Sequence, residues 1–300
     1  MRKITILAII FITSLTAGAC EICGCGMGNY YIGLLPQFRR SFFGLRYQYN
    51  HFQTVMKNDP TQFSRDYYQT LELWSGVSLS RRWQLLAFVP VNFNRQVSDE
   101  GTSQRNGLGD ITLLADYKLL DLTRGGNRAV SQQLWVGGGV KLATGQFTID
   151  PADQDLAAVA NGQIGSGSTD FILNAMYTVR VNQLGITTNA GYKINTDNRD
   201  QYRFGNRFTA NSLVSYSLPA GTTTITPNAG ALYEHSDPSH LQGSKINLTG
   251  GNLLLASAGV EFSRGKISTG FNVQLPVAQD FAEGQTKSRV RGMLHVTFAL

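Results

Sequence analysis

The side chains with the most chemical reach are Cys20, Cys23 and Cys25, the only 3 cysteines of the chain, set in the run Cys20-Glu21-Ile22-Cys23-Gly24-Cys25-Gly26. Thiols this close together on glycine-rich chain can converge on one soft metal ion, because thiolates suit Cu(I) or Zn. No histidine follows Cys23, so covalent c-type haem attachment is not indicated. In an oxidising compartment the same spacing permits a Cys20–Cys23 or Cys20–Cys25 disulfide, or a lipid on Cys20 with the other two paired. The sequence leaves these alternatives open and implies no other cofactor.

A hydrolytic site finds less support. His51 and the adjacent pair His235-Ser236 are the residues to weigh for nucleophilic chemistry. Such chemistry needs serine and histidine placed for proton transfer, plus a third group that orients the base. Histidines near strand ends are ordinarily interfacial, and the chain is read as non-enzymatic. The runs Gly137-Gly138-Gly139 and Gly165-Ser166-Gly167 lie within or beside strands with no following helix, so they are not phosphate loops. In strands, glycine permits bends or the close approach of another segment.

The third set of chemical groups is larger and spread along the chain: Arg46, Glu72, Asp116, Lys118, Lys141, Arg180, Lys193, Glu234, Glu261 and Arg291. Each sits in a stretch where polar and apolar residues alternate. From Asp110 to Leu120 the even positions Asp110, Thr112, Asp116 and Lys118 are polar, whereas Ile111, Leu113, Ala115, Tyr117 and Leu119 are apolar. A period of two is the strand period, because successive side chains leave a pleated backbone on opposite faces.

The same texture marks alternating strands near 42–52, 67–79, 83–95, 109–120, 132–144, 170–181, 184–195, 207–218, 223–235, 252–263, 266–278 and 289–300. Their length suits a tilted membrane strand of about 9–11 residues better than a sandwich strand of about 5–6. Short links at 80–82, 182–183, 219–222 and 264–265, with a medium one at 121–131, alternate with longer polar loops at 53–66, 96–108, 145–169, 196–206, 236–251 and 279–288. Tight periplasmic turns and longer extracellular loops are the signature of an outer-membrane barrel. The expected fold is therefore all-β: a transmembrane antiparallel up-and-down β-barrel of about twelve strands. Its apolar faces, such as Leu184, Ile186, Ala190, Tyr192 and Ile194, meet lipid, and the charged set above lines the lumen.

The N-terminus agrees. Arg2 and Lys3, the apolar run Ile4 to Leu15, and Ala17-Gly18-Ala19 read as a secretory signal cleaved after residue 19. Removing Arg2 and Lys3 lowers the formal charge from +6 to +4, spread along the chain, so no basic face invites nucleic acid. The expected division is a leader at 1–19, a Cys-rich segment at 20–41 and the barrel at 42–300. Counting strands back from Leu300 puts the start of the first one on the periplasmic side. Residues 20–41 then belong at the periplasmic mouth or inside the lumen as a partial plug.

The chain ends with Val290, Leu294, Val296, Phe298 and Leu300 on one face, which resembles the C-terminal signal read by the barrel-assembly machinery. Four motifs carry a wider resemblance: Gly107-Leu-Gly-Asp110, Leu79-Ser-Arg-Arg-Trp-Gln-Leu-Leu-Ala-Phe-Val-Pro90, Gly137-Gly-Gly-Val-Lys-Leu-Ala-Thr-Gly145 and Gly165-Ser-Gly-Ser-Thr-Asp170. With these in order, the chain resembles the outer-membrane barrels of the phenol-degradation meta-pathway family, relatives of the FadL-type transporters. The Cys-rich start is similar to that of Bacteroidetes-type barrels. The resemblance implies a channel or transporter for small solutes, hydrophobic or aromatic compounds among them, in the outer membrane of a Gram-negative bacterium. The alternative is an accessory barrel presenting Cu or Zn on its cysteines.

Overall fold

Alternation of period two runs through long strands in a computed structural model that describes residues 41–57, 59, 61–99, 101–122, 130–150 and 156–300. The strands are β1 (Phe42–Val55), β2 (Phe63–Ser78), β3 (Trp83–Ser98), β4 (Gly101–Leu108), β5 (Thr112–Asp121), β6 (Val130–Lys141), β7 (Asp170–Val181) and β8 (Leu184–Ile194). They continue as β9 (Tyr202–Arg203), β10 (Arg207–Tyr216), β11 (Leu218–Ala220), β12 (Thr223–Ser236), β13 (His240–Leu241), β14 (Ser244–Lys245), β15 (Gly251–Arg264), β16 (Ile267–Phe281) and β17 (Thr286–Ala299). A short helix, α1, spans Leu156–Asn161.

Each long strand pairs antiparallel with its neighbours in sequence, and β10 meets both β8 and β12. β1 pairs with β2 on one side and β17 on the other, from Phe42 opposite Ala299 to Thr54 opposite Thr286. The circuit is closed, so no strand leaves unpaired backbone groups facing lipid, where each would cost several kcal/mol. β4 and β5 both pair with β3 and act as one strand with a break at 109–111. Gly109 N–H still reaches the carbonyl of Pro90 at 2.8 Å, so the break is a bulge that re-aims the chain at Asp110. Counted this way, the barrel has 12 strands, as the period-two reading expects.

The two faces divide as hydropathy dictates. Outward lie Phe43, Leu45, Leu73, Leu113, Phe171, Leu173, Ile186, Phe271, Leu275 and Leu294, all exposed to the membrane side. Aromatic residues gather at two levels: Trp83 against Tyr117 and Phe43 against Phe298 near the short turns, and Phe208 against Tyr233 near the long loops. Such girdles mark the two interfaces of a membrane barrel. The protein is a transmembrane β-barrel of the outer membrane.

Three of the expected loops are largely strand. The stretches 53–66, 96–108 and 279–288 continue β1 into β2, β3 into β4 and β16 into β17 as tall hairpins. Beyond the outer girdle neither face meets lipid, so the apolar alternation that marks a strand stops while the hydrogen-bond ladder goes on. The described parts of 142–169, with the short helix α1, and the stretches 195–206 and 237–250 do form loops. Their residues build a small sheet of order β14-β13-β9 and bury Ile149, Ala160, Tyr202 and Phe204 in one apolar cluster, with Phe147, Leu241 and Ile246 packed against it. The leader and all but Ser41 of the Cys-rich segment lie outside the described residues, as does 123–129 of the medium link.

Candidate functional site

The barrel interior is polar and filled. Arg46, Glu72, Asp116, Lys118, Lys141, Lys193, Glu234, Glu261 and Arg291 all sit on the inward register and are buried. Arg180 shares that register beside Ser131 but is exposed at the end of β7. Near the periplasmic end Arg46 pairs with Glu72 on the adjacent strand, and its guanidinium lies 5.2 Å from the Trp74 ring and 5.7 Å from that of Phe88. Lys118 sits 4.6 Å over the Trp135 ring and 3.2 Å from Asp121. Higher up, Arg291 holds Glu234 through two bonds of 2.9 and 3.1 Å, with Phe52 5.5 Å beneath the guanidinium.

Several of these contacts skip a strand, and glycine makes the gap. His295 on β17 meets Glu261 on β15 at 2.9 Å, passing over Gly270 on β16. A Cβ at Gly270 would collide with both partners. In the same way Asn174 on β7 donates to Asp116 on β5 at 3.0 Å, across Gly137 on β6, where a Cβ would strike the carboxylate. Without a side chain in the intervening strand, two strands that are not neighbours can be tied directly.

The largest polar cluster centres on Lys141 at the extracellular end of β6. Its ammonium lies 2.7 Å from Asp110 and 2.8 Å from Asp170. The three side chains are 4%, 4% and 0% exposed. Asp110 also accepts from the backbone N–H of Gly145 at 2.9 Å and from the N–H and hydroxyl of Ser166 at 2.8 and 2.9 Å. Ser166 bonds Lys141 as well, and Ser168 donates to Asp170 at 2.8 Å. Two loop ends are thus gathered on one carboxylate, and Gly145 and Gly165 come so close that neither has room for a Cβ.

Beside this anchor Gly162, Gln163 and Ile164 lie against the inner wall of the barrel. Asn92 on β3 donates to the carbonyl of Ile164 at 2.9 Å, and Asn94 to those of Gly162 and Gln163 at 3.3 and 2.9 Å. Both asparagines occupy the inward register of β3. Ala157, Ala158, Ala160, Asn161, Gln163 and Ile164 are buried. Asn198 from the next long loop donates to the carbonyl of Ser166 at 3.0 Å, joining the cap to the inward segment. Two apolar clusters also face inward: Phe42, Trp74, Leu86, Phe88, Leu114, Trp135, Ile172 and Met176 in one, and Phe52, Tyr68, Leu232, Leu253, Leu255 and Phe281 in the other.

Sequence reasoning reached the charged positions but not Asp170, Ser166, Asn174 or Trp74. A signal existed for the first two. Three of the four quoted motifs, ending at Asp110, running through Lys141 to Gly145, and ending at Asp170, converge on this one cluster. The candidate nucleophile pair does not form. His235 and Ser236 are consecutive in β12 and leave on opposite faces: His235 bonds Asn252 at 2.9 Å, while Ser236 accepts from Arg207 at 3.1 Å. Cys20, Cys23 and Cys25 lie outside the described residues, among which no group of three or more potential metal ligands occurs.

A closed antiparallel barrel with an apolar outside and charge pairs within defines the class of outer-membrane β-barrels. The family model described as "Putative MetA-pathway of phenol degradation" matches residues 60–278, and the chain belongs to that family. No curated protein matches the sequence. Among solved structures, an outer-membrane channel from Pseudomonas putida F1 superposes with a TM-score of 0.62 at 16% identity, covering 91% of this chain and 98% of that one. The β domain of the Bordetella autotransporter BrkA gives 0.49 at 12% identity, covering 87% and 100% of the two chains. CymD, a monoaromatic hydrocarbon channel, gives 0.43 at 9% identity, covering 94% of each. Only the first likeness is close enough to bear on the fold.

Proposed function

We propose that this barrel carries small solutes across the outer membrane, hydrophobic or aromatic compounds among them. The observation that carries the reading is the inward segment 162–166, tied to Asp110 and Lys141 through Ser166 and laid against Asn92 and Asn94, which narrows a lumen whose wall alternates charge pairs with aromatic clusters. A solute with one apolar ring and one hydroxyl finds both kinds of partner along such a wall. Family membership and the fold shared with a solved channel support the same reading.

In this reading Arg46, Glu72, Asp116, Lys118, Lys141, Arg180, Lys193, Glu234, Glu261 and Arg291 set selectivity. Because most of the acids lie against bases, discrimination by ion sign should be weak. No catalytic role is assigned. The leader at 1–19 and the Cys-rich segment at 20–41, with Cu or Zn on its thiols, rest on the sequence alone. The test is reconstitution of the full mature chain in planar bilayers and in solute-loaded vesicles. Discrete conductance steps, a reversal potential near zero in a salt gradient, and faster entry of a phenol than of a sugar of similar size are expected. A silent bilayer with equal, background entry of both solutes would overturn the reading.

A further inference from the structure

Most of the inward charges are paired; a second set, on the outside, forms no ion pair among the described residues. Arg65, Arg95, Lys287 and Arg289 lie on the outward register of three strands at the extracellular rim and are exposed. The register packs them together. Gln53 on β1 stands opposite Arg65 on β2 and Lys287 on β17, and Arg289 donates to the Gln53 side chain at 2.7 Å. Tyr67 stands opposite both His51 and Arg95, with the His51 ring stacked on it at 4.6 Å. Between them is a groove of about 420 Å3 lined by Tyr49, Arg65, Tyr67, Gln69, Arg95 and Val97.

Among the described residues none of the four cations forms an ion pair. No aspartate or glutamate occupies an outward position of β1, β2 or β3; the neighbouring outward acid is Asp280 on β16, beyond β17. The level of the patch matters as much as its charge. From Phe43 in the lower girdle to His51 and Gln53 is 8 to 10 residues of β1. At about 3.3 Å per residue and a tilt of about 40°, that is roughly 20–25 Å of height, the thickness of a barrel's apolar band. The cations therefore stand where the outer leaflet's headgroups begin, with Tyr47, Tyr49 and Phe93 beneath them at the acyl level.

We propose that this face of β17, β1, β2 and β3 binds the phosphorylated glycolipid of the outer leaflet, taking its phosphates on Arg65, Arg95, Lys287 and Arg289 and its upper acyl chains against Tyr47, Tyr49 and Phe93. Guanidinium groups suit phosphate oxygens because they present paired N–H donors in a fixed fork. A surface of unpaired cations beside a lipid phosphate layer is complementary in charge, whereas the same cations beside pure hydrocarbon would be expensive.

The test uses the folded full-length mature protein and bisphosphorylated lipid A in phosphatidylcholine nanodiscs. Replacing three cations together, Arg65→Gln, Arg95→Gln and Arg289→Gln, should weaken lipid A retention by about a hundredfold, since each juxtamembrane cation contributes about fivefold. The barrel's heat-modifiable mobility should stay as in the parent. The pair Arg264→Gln and Lys266→Gln, at the opposite rim, should leave retention unchanged. A second arm needs no variant: the parent protein should prefer bisphosphorylated lipid A over its dephosphorylated form and over phosphatidylglycerol. Equal retention by the triple variant, equal loss in the opposite-rim pair, or no preference among the three lipids would each overturn the proposal.

Discussion

The interior cluster around Lys141 and the rim patch around Arg65 are both rich in charge, and they do opposite things with it. Inside, Lys141 bridges Asp110 and Asp170 away from water, and Asp110 holds Gly145 and Ser166 to the barrel wall. Outside, Arg65, Arg95, Lys287 and Arg289 repel one another, and within the chain Arg289 meets only the neutral Gln53 side chain and Arg65 the Phe63 ring. A buried charge needs its partner within the fold, because desolvation is otherwise uncompensated. A rim charge keeps its hydration and can wait for a partner that is not protein. Charge inside should therefore be read through folding, and charge at the rim through lipid.

The sharpest way to break that contrast is Lys141→Met. It would leave two buried carboxylates facing each other without a cation, and a loss of about 3–5 kcal/mol is expected from urea titration of the folded barrel. Gly270→Ala should follow at about 1–3 kcal/mol, since the added methyl overlaps Glu261 and His295. Combined with Glu261→Ala the same change should cost less, which a double-mutant cycle measures. At the rim, Arg65→Gln with Arg289→Gln should alter unfolding in detergent by no more than about 0.5 kcal/mol.

The smallest effect concerns Asp59 in the exposed turn between β1 and β2. The Thr61 hydroxyl donates to it at 2.6 Å and the Thr61 N–H at 3.0 Å, and these bonds hold its carboxyl below the usual carboxylate range. Such a group favours the fold above its unfolded pKa and loses that contribution as pH falls through the folded value. Thr61→Ala should move the Asp59 titration upward, toward the ordinary value, in a carboxyl-resolved NMR experiment.

Strand number, register and the inward placement of charge were legible because lipid imposes one rule on every strand. The outward residue must be apolar, and a slip of one position would expose the other face. The rule lapses above the outer girdle, which is why the hairpin extensions at 53–66, 96–108 and 279–288 read as loops. It also says nothing about contacts that skip a strand. Asp116 with Asn174, and Glu261 with His295, depend on Gly137 and Gly270 lying between them, and no local pattern reports a missing side chain on the strand between. The convergence of Asp110, Lys141 and Asp170 was hidden for the same reason. Each lies at the border of a turn motif, and only the closed sheet brings the borders together.

The claim on which the functional reading turns is that the segment 162–166 narrows the lumen, and its geometry offers a clean excision. Gly165 N–H donates to the Gln146 carbonyl at 3.0 Å, so joining Gln146 to Gly165 removes 147–164 while leaving Asp110, Lys141, Ser166 and Asp170 in place. The measurement is single-channel conductance of that shortened chain against the full mature chain, both checked for the heat-modifiable mobility of a folded barrel. A step increase of several-fold is predicted. Equal conductance in two folded barrels would contradict the account.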